Sequence, residues 1–80
     1  MISCQQYDYI EIACLYTLPV RLTLNNGQQI EGHAKDTLRN SDRQECLSLQ
    51  TSRGLQIVVL DELVRMEATQ PNVHFDVIEF

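Results

Sequence analysis

Within the first 24 residues the spacing of apolar side chains changes period, and that change commits the chain to a short helix handed directly to a sheet. Tyr7, Ile10, Ala13 and Cys14 recur at i, i+3, i+6 and i+7, which places them on one helical face, with Asp8 and Glu11 together on a neighbouring one. Ser3 to Gln6 has the S-x-x-Q form of a capping box, so a helix is expected over about residues 4–15, stopped by Thr17 and Pro19. From Leu18 the period is two: Leu18, Val20, Leu22 and Leu24 alternate with Pro19, Arg21 and Thr23, the pattern of a half-buried strand.

Turn residues divide the rest of the chain. Asn25-Asn26-Gly27 predicts a tight hairpin of type I′, returning through Gln28 to Ala34 with Ile30, Gly32 and Ala34 inward. The polar stretch Asp36 to Gln44 reads as an exposed loop and a candidate contact surface. A third strand is expected over Glu45 to Thr51, and Ser52-Arg53-Gly54 makes the next turn. Leu55 to Leu60 is almost continuously apolar, which suggests a strand covered on both sides by the barrel interior and the helix. Leu22, Leu49 and Ile57 are then expected inside the barrel. After the short joint Asp61-Glu62, Val64, Met66 and Ala68 alternate as a fifth strand, and a β-prone tail covers residues 70–80.

One helix and five short strands with such brief joints suit a mainly β domain, a small partly open barrel of the Sm-like or SH3-like kind. The OB-fold competes, but it places a helix where Ser52-Arg53-Gly54 leaves no room. Eighty residues make one domain, residues 1–80, with strands over about 18–68. A core that thin has little volume to give to a catalytic cleft, so a binding protein is expected rather than an enzyme.

Charge narrows the partners. Six Lys and Arg against eleven Asp and Glu leave a net charge of −5, which opposes phosphate backbones and anionic membranes. No stretch reaches the ~20 apolar residues of a membrane span and no basic segment precedes an apolar one at the start, so a cytoplasmic location is expected. Cys4, Cys14 and Cys46 are odd in number and lack CxxC spacing, and they read as reduced thiols.

Few residues suggest chemistry. His33 and His74 lack ligand-like neighbours, so no metal site is expected, and Gly27, Gly32 and Gly54 form no phosphate loop, so no cofactor is expected either. Cys14 or Cys46 with His33 would make a nucleophile pair, but no orienting carboxylate accompanies them and buried thiols explain them better. Asp61-Glu62 reads as a solvated turn. The cluster Tyr7, Asp8, Tyr9 and Glu11 is different: two phenols and two carboxylates share one short helix. Acids early in a helix also gain from its dipole, and Tyr7 can pack inward, so the residues alone leave both explanations standing.

The run from Ile2 to Cys14, with its C-x-x-Y-D-x-[IL]-E-[IL]-A-C spacing, resembles the opening of the Rof family, small bacterial inhibitors of the transcription terminator Rho. The likeness continues more weakly through Leu22-Thr23-Leu24, Gly27, Asp36 and Leu47 to Leu60-Asp61. The resemblance implies a helix on an Sm-like barrel that binds the RNA-binding domain of Rho and blocks its primary RNA site, with no nucleic acid bound directly and a monomer when free. It also implies that the helix and the loop before the third strand face Rho. Here those are Tyr7, Asp8, Tyr9 and Glu11, with Arg39, Asp42, Arg43 and Glu45 from the loop. Gln5 and Gln6 stand where family members can carry acids, which shifts weight onto Asp8, Glu11, Asp42 and Glu45. The rival readings are an Sm-like RNA-binding module, opposed by net charge, and a small hydrolase using a Cys–His pair.

Overall fold

The computed structural model describes residues 2–80. Ser3 opens helix α1 (Cys4–Leu15) by the reciprocal contacts its sequence implies: the Ser3 hydroxyl accepts from the Gln6 amide at 3.2 Å, and the Gln6 side-chain carbonyl accepts from the Ser3 amide at 2.8 Å. At the other end Thr17 takes a left-handed φ of 50°. The Thr17 amide donates to the Cys14 carbonyl and the Leu18 amide to the Ala13 carbonyl, so the last helical carbonyls are satisfied as the chain turns into the sheet.

Six antiparallel strands follow: β1 (Pro19–Leu24), β2 (Gln29–Arg39), β3 (Glu45–Thr51), β4 (Gly54–Val59), β5 (Leu63–Ala68) and β6 (Val77–Glu79). A 3-10 turn, Leu60–Glu62, links β4 to β5. The sheet order is β4-β3-β2-β1-β5-β6, so the sheet stays open between β4 and β6. The architecture is the mainly β one expected, with a single N-terminal helix against a partly open barrel. Ile10 and Ala13 of α1 close over Val20, Leu22, Ala34, Leu47, Leu49 and Met66, all fully buried.

Four local expectations need correction. The first hairpin has a three-residue loop, Asn25 to Gly27, in which only Gly27 has positive φ (87°). The Gly27 amide donates to the Leu24 carbonyl and the Leu24 amide to that of Gln28, the bonding of a type I turn with a glycine bulge rather than type I′. Second, Asp36 to Gln44 is not one loop. A bulge between Ala34 and Asp36 resets the phase, and β2 continues to Arg39 opposite Glu45. The loop shrinks to residues 40–44, organised by the Asn40 side-chain carbonyl, which accepts from the amides of Asp42 and Gln44.

Third, β4 is an edge strand, and the helix packs along β2 instead of covering it. Ile57 is 48% exposed, whereas Val58, opposite Leu47, is 4% exposed and points into the core. Ile57→Ala is therefore expected to cost under ~1 kcal/mol, as exposed substitutions do, rather than the several of a core truncation. A melting midpoint lowered by more than about 8 °C would contradict this register. Fourth, the pairing of β5 with β1 shifts between Thr23 and Leu24, so Leu63 and Met66 are buried while Val64 faces outward. The tail forms a strand only over Val77–Glu79, after a turn in which the Asn72 side chain accepts from the amides of His74 and Phe75.

Candidate functional site

The extension of β2 brings the expected contact residues to one side of the molecule. Tyr7 and Glu45 line two adjoining open concavities: Ile2, Ser3, Cys4 and Asp8 wall the first, and Thr37, Leu38 and Arg39 the second. A third concavity beside them is walled by Arg39, Arg43, Gln44 and Glu45 together with Ile2, Leu60 and Asp61. Glu11 lies one helical turn further on, in a groove with Cys14, Lys35, Asp36 and Thr37. Tyr7, Asp8, Glu11, Arg39, Arg43 and Glu45 thus form a continuous face along α1 and the end of the β2–β3 hairpin, with Asp42 exposed at the hairpin tip.

Tyr9 does not join them. Its ring meets Phe75 edge-on at 6.0 Å between centroids, so it holds the tail against the other side of the helix. Tyr16 stacks on His74 at 4.7 Å, and the Gln6 side-chain amide donates to the Glu79 carbonyl at 2.9 Å, which ties the tail down along the helix. The residues that sequence reasoning missed are Ile2, Cys4, Thr37, Leu38 and Asp61. Thr37 and Leu38 were hidden because a polar stretch without alternation reads as a loop, and the bulge that turns it into strand carries no glycine to announce it.

The charges are distributed unevenly. Arg39 and Glu45 pair at 3.4 Å across the strand ends, both well exposed, which neutralises Glu45 locally and adds little stability. Among the described residues, Asp8, Glu11 and Asp42 are in no ion pair. The first turn of α1 contains no acid, so the dipole term, which fades beyond that turn, does not account for Asp8 and Glu11. Two like charges three apart on a helix are mildly unfavourable for folding. The helix carries these carboxylates at a small cost, which points to a use outside the fold.

Cys14 sits where the groove meets the core. Partial burial, and after it the nearby carboxylates of Asp36 and Glu11, push its thiol up to about 11. The folded protein therefore holds this proton more tightly than the unfolded chain. The associated stability is complete below pH 9.0 and is lost as pH rises towards 11. Melting of wild type and Cys14→Ala across that range checks the sign: the wild type should lose more stability on the alkaline side, and parallel curves would contradict the assignment. Cys46, buried, should react with thiol reagents far more slowly than the exposed Cys4.

No curated protein matches the chain at a significant level. Among solved structures the chain is similar to YaeO bound to magnesium from Vibrio cholerae O395, at 48% identity and a TM-score of 0.90, covering 94% of this chain and 97% of that one. The family model described as modulator of Rho-dependent transcription termination (ROF) matches residues 1–80. With its whole length matched and this fold shared, the chain belongs to the ROF family of modulators of Rho-dependent transcription termination.

Proposed function

We propose that this protein binds Rho at the primary RNA-binding site of its N-terminal domain and keeps RNA from loading, so that termination is inhibited. The observation that carries the reading is the exposed pair Asp8 and Glu11, unpaired and beyond the reach of the helix dipole, beside Tyr7 and the β2–β3 hairpin. A site that holds pyrimidine-rich single strands combines cations for phosphates with platforms for bases. Carboxylates and a phenol on one rigid face offer the complement of both. The net charge of −5 favours such a partner and opposes RNA itself. On this reading the protein is not an enzyme, needs no cofactor, and acts in the bacterial cytoplasm where Rho meets its transcripts.

Calorimetry with the isolated Rho N-terminal domain tests the proposal. Binding should be clear at low salt and weaken as salt is raised, because charges across the interface are screened over ~8 Å at physiological ionic strength. A labelled pyrimidine-rich strand should be displaced in competition. Absence of binding would overturn the reading, and affinity indifferent to salt would overturn its electrostatic basis.

A further inference from the structure

The sequence holds four asparagines, Asn25, Asn26, Asn40 and Asn72, and three of them make the same local bond. The side-chain carbonyl of Asn26 accepts from the Gln28 amide at 2.9 Å, that of Asn40 from the Asp42 amide at 2.9 Å, and that of Asn72 from the His74 amide at 2.8 Å. Each is an Asx turn, in which the side chain folds forward over the peptide that follows it. The electrophilic side-chain carbon then lies on the side of the next residue's backbone nitrogen, and the accepted hydrogen bond polarises its carbonyl. What comes next differs among the three. Ser41 and Val73 put a side chain beside that nitrogen, whereas Gly27 has none, and nothing lies within 4 Å of where its Cβ would be. A second amide also holds the carbonyls of Asn40 (Gln44, 3.0 Å) and Asn72 (Phe75, 3.0 Å), and both residues are only partly exposed. Asn26 accepts one such bond and stands exposed at the hairpin tip.

We propose that Asn26 is a site of covalent self-modification, at which the Gly27 nitrogen closes on the Asn26 side chain and the amide becomes an acid. Solvent base removes the Gly27 amide proton, and the nitrogen attacks Asn26 Cγ to form the new C–N bond of a succinimide ring. The bond from Cγ to the side-chain nitrogen breaks, and that nitrogen leaves as ammonia with a proton from water. Water then opens the ring: attack at Cγ gives aspartate, and attack at the main-chain carbonyl carbon gives isoaspartate. The Gly27 amide donates to the Leu24 carbonyl at 2.9 Å, so the reaction waits on opening of that bond, which closes an exposed loop end and opens at little cost. Glycine favours the attack twice, since it offers no Cβ to obstruct the ring and its free φ lets the nitrogen turn. The products differ in effect. Either makes the chain one unit more negative than its present −5. Aspartate keeps an oxygen for the Gln28 amide and leaves the loop intact, whereas isoaspartate adds a backbone carbon between Leu24 and Gln28, whose bond at 2.9 Å closes the hairpin.

Ageing the folded full chain in mildly alkaline buffer, with fragmentation mass spectrometry at intervals, is the test. The mass gain of an amide-to-acid exchange should appear first at Asn26, with isoaspartate among the products. Conversion there should outpace that at Asn25, Asn40 and Asn72 by about tenfold or more, the ratio that a barrier difference of about 1.4 kcal/mol gives. Gly27→Ala, which leaves Asn26 in place and sets a Cβ beside the attacking nitrogen, should slow the conversion by a similar factor. Asn26→Asp should show no gain at the loop and should match the aspartyl form of the aged wild type on ion exchange, a comparison that still decides the matter if Gly27→Ala fails to fold. Folded wild type that stays unconverted while urea-unfolded chain converts at Asn26 would overturn the proposal. So would equal rates at Asn26 and Asn40, or a Gly27→Ala variant that converts as fast as wild type.

Discussion

Reversing both helix acids, Asp8→Lys with Glu11→Lys, is expected to weaken Rho binding a hundredfold or more while leaving the fold in place. Both side chains are exposed, and they are three residues apart on α1. On the proposed reading both face a cationic RNA site. Truncating one partner of a charge pair across an interface costs about 2–5 kcal/mol, and reversal adds repulsion on top of that loss. A hundredfold corresponds to about 2.7 kcal/mol, so even the lower part of the combined range reaches it. The fold has little at stake, because neither acid gains from the helix dipole or from an ion pair, while Tyr7, Ile10 and Ala13 keep their packing. Circular dichroism, Rho binding and a termination assay on the same variant separate the outcomes. An unfolded variant would mean that the acids are structural. A folded variant that inhibits at wild-type concentrations would remove the helix from the interface and leave Arg39, Arg43 and Glu45 to carry it.

Sequence and structure agree where one physical cause acts within a few residues. The Ser3–Gln6 capping box, the stop at Thr17, the alternation of β1 and the turn at Ser52-Arg53-Gly54 all behave this way. The errors fall where phase depends on a partner strand. Leu55 to Leu60 is almost continuously apolar and reads as a strand covered on both sides, with Ile57 inside the barrel. Gln56 instead shares the inward phase of Val58 but is exposed, and its neighbours Leu55 and Ile57 face solvent because no strand or helix covers that edge. The bulges that shift the phases of β2 and β5 are single unpaired residues without a glycine, visible only once Leu49 and Leu24 are seen opposite their partners.

The contact face is legible on its helical side, where chemistry concentrates in consecutive residues, and only partly on the strand side. Arg39 and Glu45 can be named from the sequence, but their mutual ion pair depends on β2 reaching Arg39. Tyr9 shows the converse. Its place in the cluster with Tyr7 and Asp8 suggests a shared role, yet a residue 66 positions later, Phe75, occupies its ring. Contacts of that sequence separation leave no local pattern to read.

The second large effect concerns Gly32. Substitution by alanine adds one methyl group, and in most strands that change stabilises by about 0.5–1 kcal/mol because glycine is costly to order. Here the sign is expected to reverse. A Cβ on Gly32 would run into the main-chain carbonyl of Gln50, with the carbonyl carbon at 2.9 Å and Leu49 Cγ at 3.1 Å. The obstacle is backbone, fixed by the pairing of Gln50 with His33 on one side and Leu55 on the other, so no side-chain rotation relieves it. Relief requires β2 and β3 to move apart where Ala34 and Leu49 pack in the core. Overpacking of this kind costs about 1–3 kcal/mol and occasionally more, and a rigid backbone obstacle belongs at the upper end, about 3 kcal/mol. A domain of this size holds roughly 5–10 kcal/mol in all, so the melting midpoint should fall by about 12 °C or more. Gly27→Ala is the control. Nothing lies within 4 Å of a Cβ there, and only its φ of 87° resists a side chain, so its cost should stay near ~1 kcal/mol. Equal losses at the two glycines would mean that conformational strain alone governs both, and the close approach of β2 to β3 at Gly32 would then have no energetic weight.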